Sequence, residues 1–437
     1  MAATTTTTTI LLLLAAVATL AAGADISVYH NIHPPSPSPL ESIISLARAD
    51  DARLQFLSSK AATTGVSSAP VASGQTPPSY VVRAGLGSPS QPLLLALDTS
   101  ADATWAHCSP CDTCPAASTL FVPSTSTSFA SLPCSSSWCP LFQGQSCPSP
   151  DTDPSAAAAP LPTCAFSKPF ADASFQAALS SDTLRLGKDS IPNYTFGCVN
   201  TVTGPTTNVP KQGLLGMGRG PMALMAQSGG VYGGVFSYCL PSYKSYYFSG
   251  SLRLGPTGQP RGARYTPMLR NPHRPSLYYV NVTGVSVGRT WVRVPTGSFG
   301  FDPVTGAGTV VDSGTVITRW TAAVYAAVRE EFRRQVAAPS GYTSLGAFDT
   351  CFNTDEVAAG VAPAVTVHMD GGVDLALPME NTLIHSSATP LACLAMAEAP
   401  QNVNSVVNVL ANLQQQNIRV VFDVANSRVG FARESCN

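Results

Sequence analysis

The chain has 437 residues, of which 44% are hydrophobic and only 11% are charged, and its formal net charge is -1 at pH 7. This much apolar sequence exceeds what one hydrophobic core normally supports, which predicts a two-lobed protein. The near-zero charge leaves no basic face for phosphate backbones or anionic lipid. We therefore expect no nucleic-acid partner.

The N-terminus is typical of a secretory signal peptide over residues 1–24. A Thr-rich start leads into the apolar segment 10–22, and Ala22-Gly23-Ala24 offers a small-residue cleavage site, although a basic n-region is missing. A membrane anchor is one alternative, but the segment is shorter than the roughly 20 residues that span a bilayer. A plastid transit peptide is the other, and the Leu cluster without Arg argues against it. We expect secretion, with no membrane association after cleavage.

Residues 25–78 differ in composition from the rest of the chain. A Pro-rich segment at 33–39 precedes an amphipathic stretch at 40–57, and a Gly-, Ser-, Thr- and Ala-rich tract follows to residue 78. This order predicts a propeptide with a cleavable linker, and a plain N-terminal arm is the alternative.

Beyond residue 79 the pattern predicts a mainly β protein. Short β-rich segments such as 80–83 and 278–282 alternate with Gly and Pro turns. The clearest helix candidate is residues 322–336, where Val324, Val328, Phe332 and Val336 recur along one face.

Two short motifs each place an Asp at the end of an apolar run, 93–97 in one case and 309–311 in the other. They are Asp98-Thr99-Ser100-Ala101 and Asp312-Ser313-Gly314-Thr315. Each run predicts a buried strand that enters a tight turn, where a lone carboxylate costs several kcal/mol or takes up a proton. A single motif of this kind usually marks an ordinary strand-end turn.

Two such carboxylates brought together can share one proton. The ionised partner then draws a proton from water while the protonated partner polarises a carbonyl. The duplicated motif therefore predicts that Asp98 and Asp312 are the catalytic pair of an enzyme that hydrolyses peptides without metal or other cofactor.

The chain contains 12 cysteines, an even number that predicts disulfides in an exported protein. Three of them have a spacing that would suggest metal ligation in a cytosolic protein: Cys108, Cys111 and Cys114. The export signal and the lack of clustered His favour disulfides, so we expect no metal.

The other cysteines divide into a surface insertion and two expected pairs. The composition around four of them is too polar and small for a hydrophobic core, which predicts a stapled insertion: Cys134, Cys139, Cys147 and Cys164. Cys198 is the last of the eight cysteines that lie between residues 108 and 198. Cys351 and Cys393 lie within one predicted lobe and are expected to pair, and Cys239 is expected to pair with Cys436 and clip the C-terminus to the lobe junction.

Two sequons, at Asn193 and Asn281, are available for N-glycosylation if the chain enters the secretory pathway. Asn281 lies in a predicted strand, so it must face solvent to be modified.

Several further segments make the chain resemble the pepsin-like aspartic proteases, specifically the plant nepenthesin-like group. Besides the two Asp motifs and the Cys-rich insertion, they are Trp105, residues 213–219, residues 236–240, and the ending 419–423 with 429–432. The likeness covers nearly the whole chain. It is greatest to a plant subgroup associated with the apoplast and defence, whose first motif is also D-T-S.

The resemblance implies two β-lobes, here 79–260 and 261–437, with an extended polypeptide substrate in the cleft between them. Residues Thr99, Ser100, Ser313, Gly314 and Thr315 would support the dyad. It also implies an acidic pH optimum, a monomer, and location in the apoplast or cell wall, or alternatively the vacuole.

Four positions depart from the family pattern. Phe170 replaces the flap tyrosine that hydrogen-bonds to the Trp matching Trp105, which predicts a looser flap. Ser100 replaces the usual Gly, and Ala101 replaces a hydroxyl residue that supports the carboxylate. Losing that bond would raise the pKa of Asp98, whereas the Ser100 hydroxyl could supply a new one.

The fourth departure is Ala411, where the family usually has Gly, so its Cβ needs room. The equivalent first segment keeps Gly216 and Gly218. We expect activity to survive, with a shifted pH optimum or a narrowed specificity. The alternative is a catalytically silent binding protein, like the plant xylanase inhibitors that resemble these proteases but lack a complete Asp pair.

Overall fold

The computed structural model describes residues 23–30, 39–59, 80–115, 119–142, 145–147, 162–170, 173–207, 209–244, 249–358, 362–400 and 407–436. The predicted signal peptide, apart from residues 23 and 24, and the predicted linker beyond residue 59 lie outside these ranges.

The described part of the first half of the chain contains one long helix, with one strand before it and the other strands after it. The helix is α1 (Pro39–Ser59). The strands are β1 (Ala24–His30), β2 (Tyr80–Leu86), β3 (Gln91–Asp98), β4 (Trp105–His107), β5 (Ala130–Ser131), β6 (Gln145–Ser146), β7 (Ala165–Phe170), β8 (Ala173–Leu186), β9 (Asp189–Thr203) and β10 (Gly213–Gly216).

The described part of the second half is again mainly strands, with three α-helices: α2 (Leu224–Gln227), α3 (Ala322–Val336) and α4 (Met379–Thr382). Its strands up to residue 320 are β11 (Val235–Cys239), β12 (Gly250–Leu254), β13 (Arg264–Leu269), β14 (Tyr279–Val280), β15 (Val282–Val287), β16 (Thr290–Trp291), β17 (Gly308–Val311) and β18 (Thr318–Trp320). The remaining strands are β19 (Thr343–Leu345), β20 (Phe348–Asn353), β21 (Val365–Met369), β22 (Val373–Ala376), β23 (Leu383–His385), β24 (Leu391–Leu394), β25 (Met396–Glu398), β26 (Val407–Leu410), β27 (Ile418–Asp423) and β28 (Arg428–Arg433).

These strands form the two-lobed, mainly β architecture that the sequence predicts. A 20-stranded sheet runs through both lobes, and two four-stranded sheets, β16-β15-β21-β22 and β19-β20-β24-β23, complete the C-terminal lobe. The predicted helix has the expected bounds, and Val324, Val328, Phe332 and Val336 are all buried on its inner face. The amphipathic stretch at 40–57 forms most of α1.

The same arrangement of strands delivers each Asp motif to the centre of the molecule. In the first lobe, β3 and β10 run parallel and pair Asp98 with Gly216. In the second, β17 and β26 run parallel and pair Val311 with Leu410. The carboxylates therefore sit at equivalent strand ends in the two lobes.

The base of the molecule joins both lobes and the N-terminal segment. Strand β11 pairs with β27 of the C-terminal lobe and with β12. Strand β1 pairs antiparallel with both β12 and β2. Because β1 and α1 both pack on the lobes, residues 24–30 and 39–59 contribute to the folded core.

All twelve cysteines are in disulfides, including both expected pairs, Cys351–Cys393 and Cys239–Cys436. The others are Cys108–Cys198, Cys111–Cys114, Cys134–Cys147 and Cys139–Cys164. The sulfur atoms of Cys134, Cys139 and Cys147 lie within 4.8 Å of one another, but each is already in a disulfide. None of the helices in the described ranges is long and apolar enough to cross a bilayer.

Candidate active site

The two Asp motifs meet at the interface between the lobes. Asp98 and Asp312 are both fully buried, with no exposed surface. Reciprocal hydrogen bonds join the residues that follow them: the Ser313 amide donates to Thr99 Oγ1 over 2.9 Å, and the Thr99 amide donates to Ser313 Oγ over 3.2 Å. Ser313 Oγ also donates to the Leu97 carbonyl over 3.2 Å. These bonds fix the two turns against each other.

Each carboxylate accepts hydrogen bonds from its own turn, but through different residues. Asp98 Oδ1 accepts from the Ser100 amide over 2.8 Å and from the Ser100 hydroxyl over 3.0 Å. Asp312 Oδ2 accepts from the Thr315 amide over 2.9 Å and from the Thr315 hydroxyl over 2.6 Å. The Ser100 hydroxyl therefore donates a hydrogen bond to Asp98 that Ala101 cannot make.

Both carboxylates bind one guanidinium, that of Arg53 in α1. Nη2 donates to Asp98 Oδ1 over 2.7 Å and to Asp312 Oδ1 over 2.9 Å. Nε donates to Asp312 Oδ2 over 2.8 Å, and Nη1 donates to Asp98 Oδ2 over 3.1 Å. Nη2 also donates to Ser100 Oγ over 2.8 Å. All three charged side chains are excluded from water.

This placement sets the ionisation of the site. Burial opposes the charge on Asp98, but the charge and hydrogen bonds of Arg53, together with the Ser100 bonds, outweigh it and hold the pKa of Asp98 below its ordinary value. Burial likewise opposes the charge on Arg53, yet the two carboxylates raise its pKa. The guanidinium therefore stays charged and lies between the two carboxyl groups.

A second charged residue of α1, Asp50, is bound to the loop that follows the second Asp motif. Its carboxylate accepts from the Val316 amide over 2.9 Å and from the Ile317 amide over 3.0 Å. Burial raises the pKa of Asp50 to about 7, although Arg319, the two amides and Arg53 act to lower it. Arg319 Nη2 also donates to the Ala47 carbonyl over 2.8 Å. The helix is thus tied to the C-terminal lobe beside the dyad.

Apolar contacts cover the rest of the docked face of α1. One cluster joins Leu40, Ile43, Ile44 and Ala47 to the loop at 316–317 and to strands of the C-terminal lobe. Another joins Leu54 and Leu57 to a second group in that lobe: Leu277, Tyr279, Val310, Val407, Val409 and Ala411. Each buried Leu or Ile contributes about 1.5–3 kcal/mol, so the helix has a strong apolar hold on the lobe.

The sequence analysis did not identify Arg53 or Asp50 as site residues. The available signal was their position in the heptad-like pattern of residues 40–57. Asp50 lies three residues beyond Ala47 and four before Leu54, on the buried stripe of the helix. Charged residues on the apolar stripe of an amphipathic helix indicate that the helix docks on opposite charges or on free amides.

The flap hairpin of the resemblance corresponds to β7 and β8. Phe170, at the end of β7, packs edge-on against Trp105 with ring centroids 5.7 Å apart, and Phe175 of β8 lies 4.8 Å from the same ring. Phe170 is completely buried. The aromatic cover over Trp105 is therefore present without a hydroxyl.

The two lobes differ at the residue that lies beside each Asp motif, which is Gly216 in the first lobe and Ala411 in the second. A Cβ at Gly216 would lie 2.2 Å from the Asp102 carbonyl oxygen, so only Gly fits there. At the equivalent place in the second lobe, Ala411 is buried with Leu54 and Leu57 of α1. The extra methyl group thus packs against the docked helix.

Comparisons with known proteins agree with this geometry. Family models described as xylanase inhibitor N-terminal and xylanase inhibitor C-terminal match residues 80–256 and 277–433. The rice protein aspartyl protease 25 (Oryza sativa subsp. japonica) is 85% identical over 95% of this chain and 95% of its own length. Aspartic proteinase nepenthesin-1 of Nepenthes gracilis is 35% identical over 82% of this chain and 78% of its own.

The fold has solved relatives as well. The crystal structure of edgp aligns with a TM-score of 0.67 over 94% of this chain and 95% of its own, at 19% identity. With two buried Asp motifs joined at a lobe interface and these relatives, the chain belongs to the plant pepsin-like aspartic proteases and is an aspartic-type endopeptidase.

Proposed function

We propose that this chain is the latent precursor of a secreted endopeptidase, in which the segment 25–78 is a propeptide that blocks the dyad until it is removed. The observation that carries the proposal is the Arg53 guanidinium, which binds both Asp98 and Asp312. A substrate carbonyl and an attacking water cannot occupy the space that Arg53 fills. Latency then follows directly from docking of α1.

Once Arg53 leaves, Asp98 and Asp312 act as the catalytic pair. Arg53 Nη2 contacts one oxygen of each carboxylate. A water molecule that takes its place can be bound by both carboxylates. The ionised member takes a proton from this water as the oxygen attacks the peptide carbonyl, and the protonated member donates to the carbonyl oxygen. The tetrahedral intermediate collapses when the leaving nitrogen receives a proton from the pair.

Supporting residues keep the two carboxylates in this geometry. Thr99 and Ser313 hold the turns together, while Ser100 and Thr315 stabilise the charged forms by donating to the carboxylates. Gly314 leaves room at the centre, because a Cβ there would lie 2.0 Å from Arg53 Nη2. A substrate would need the same space after Arg53 has left.

The test is to incubate the secreted protein with denatured proteins across about pH 3 to 7 and to map cleavage by mass spectrometry. The control is the doubly substituted Asp98→Ala, Asp312→Ala chain. We expect cuts that vanish in the control, with an acidic optimum. Folded, correctly processed protein that makes no cuts at any pH would contradict the proposed mechanism.

A catalytically silent binding protein is the second candidate. The description of the matching family models as xylanase inhibitors favours it, as do the departures at Ser100, Ala101 and Phe170. Against it, both Asp residues are present and share one ligand in Arg53. The same cleavage experiment separates the two candidates.

The remaining parts of the proposal concern location and modification. We place the mature monomer in the apoplast or cell wall, with the vacuole as the alternative. Asn193 is exposed and suits N-glycosylation, whereas Asn281 is partly buried and its side-chain nitrogen donates to Asp370 over 2.6 Å. Glycosidase treatment with mass spectrometry would show a glycan at Asn193 first.

A further inference from the structure

Lys168 is a cation on the inner face of the flap hairpin. Side chains alternate along β7: Ser167 and Pro169 are exposed, while Phe166 and Phe170 are buried. Lys168 shares the face of the two phenylalanines because residues two apart in a strand point the same way. Lys168 is thus a charged residue between two phenylalanines on the same face of β7.

The partner strand confirms this direction. Lys168 pairs with Phe175 of β8, and directly opposed residues of an antiparallel pair lie on one face. The Phe175 ring lies 4.8 Å from Trp105. The ammonium therefore points into the region between the flap and the dyad, where it interacts electrostatically with Asp98 and Asp102.

The carboxylates in this region are already bound by other groups. Asp98 is held by Arg53 and Ser100. Asp102 Oδ1 accepts from the Gly220 amide over 2.8 Å, and its Oδ2 accepts from Ser276 Oγ over 2.5 Å. Among the described residues, no carboxylate oxygen lies within the 4.0 Å of an ion pair with Lys168.

The other charges near Lys168 do not neutralise it. Burial lowers the pKa of Lys168, Asp98 and Asp102 raise it, and Arg274 and Arg53 lower it further. A partly buried ammonium without an ion-pair partner gains from an incoming anion, because charge-assisted hydrogen bonds are strongest where water is excluded.

We propose that Lys168 is a specificity-determining residue, which makes the cleft prefer substrates with a carboxylate side chain close to the scissile bond. This inference rests on the proposed function, since it assigns a substrate class to the same site. Lys168 makes the contact from the flap, so it acts when the flap lies over bound peptide. The substrate carboxylate then takes the place of the missing ion-pair partner.

The experiment compares peptides that differ only by Glu or Gln, with the variable residue placed at each of three positions on either side of the scissile bond. The activated full-length protein is assayed across about pH 3 to 6. At one or more positions we expect kcat/KM for Glu to exceed that for Gln by roughly tenfold at pH 5 to 6. The ratio should fall toward one below about pH 4, as the peptide carboxyl takes up its proton.

Three variants test whether Lys168 causes the preference for Glu over Gln. Lys168→Met should bring the ratio to about one, Lys168→Arg should retain it, and Lys188→Met, which removes an exposed lysine from the turn between β8 and β9, should leave it unchanged. If Lys168→Met does not fold, Lys168→Gln takes its place and should likewise bring the ratio to about one.

The outcomes separate the two proposals. Cleavage of both peptides at equal rates at every position overturns the role of Lys168 but leaves the endopeptidase intact. Cleavage of neither peptide, by protein whose propeptide has left, overturns the endopeptidase mechanism and the preference with it. A Glu preference that survives in Lys168→Met assigns the preference to another cation and overturns the inference.

Discussion

The two half-sites have the same strand topology but different chemistry around the carboxylate. In the first lobe Gly216 is compulsory and Asp98 relies on a hydroxyl from Ser100; in the second, Ala411 is tolerated and Asp312 is held by Thr315. The docked helix is also asymmetric, because its apolar clusters contain C-terminal-lobe residues. The second half-site thus packs against α1 as well as supporting the dyad.

The largest expected effect tests the glycine asymmetry. Gly216→Ala places a Cβ 2.2 Å from a backbone oxygen that cannot move aside, so we expect a loss of about 3 kcal/mol or more in unfolding free energy and little secreted protein. The matched change, Ala411→Gly, removes one methyl and should cost about 1 kcal/mol. Secretion yield and chemical denaturation measure both. Equal losses would show that the lobes are not asymmetric at this position.

The second prediction concerns Arg53, which bridges both halves. Arg53→Ala leaves two buried carboxylates without their counter-charge, which costs about 3–5 kcal/mol of helix docking. Hydrogen exchange in residues 39–59 should accelerate by at least a hundredfold. Arg48→Ala, which alters an exposed residue of the same helix, should have little effect. Equal exchange in both variants would contradict a docking role for Arg53.

The sequence predicts the two Asp motifs better than it predicts the helix that completes the site. Asp98, Asp312 and the strands that carry them were predicted because the motif occurs twice and each copy ends an apolar run. Arg53 was not, because a charge on the buried side of an amphipathic helix indicates that the helix docks on opposite charge but does not say which carboxylates it meets. The role of Ser100 also needed coordinates, since its hydroxyl can point to the carboxylate or away from it.

The third prediction concerns the pH range over which α1 stays docked, which depends on two carboxyl groups whose pKa values shift in opposite directions. The pKa of Asp98 is held below its ordinary value of 3.8, so its contribution to docking is present above 3.8 and is lost as pH falls through the lowered value. The pKa of Asp50 rises from 3.8 to about 7 on docking, so its contribution is complete below 3.8 and is lost as pH rises through about 7.

Together these shifts predict docking that is strongest near pH 4, weakens as pH rises to about 7, and fails as pH falls through the lowered pKa of Asp98. Hydrogen exchange in residues 39–59 across pH 2 to 9, corrected for the intrinsic exchange rate, measures this profile. Asp50→Asn should flatten the upper limb and leave the acid limb in place. Protection that rises steadily with pH would show that Asp50 does not titrate on docking.

The smallest expected effect concerns the side-chain hydroxyls of Thr315 and Ser100, one in each Asp turn. Thr315→Val removes a 2.6 Å bond to Asp312, and Ser100→Ala removes a 3.0 Å bond to Asp98. Hydrogen bonds to charged groups contribute about 1.5–3 kcal/mol, and the shorter one should contribute more. We expect kcat/KM to fall about tenfold or more in Thr315→Val and about threefold in Ser100→Ala.

The acid limb of the rate profile adds an independent measure of the Ser100 bond. That bond lowers the pKa of Asp98, so Ser100→Ala should move the limb to higher pH, while the Ser100 amide bond limits the shift. If Ser100→Ala instead matches Thr315→Val in rate, Ser100 is as strong a support as the threonine. The Ser100 hydroxyl would then fully replace the hydroxyl that Ala101 lacks. The two lobes would differ only in which residue of the turn supplies the hydroxyl, Ser100 or Thr315.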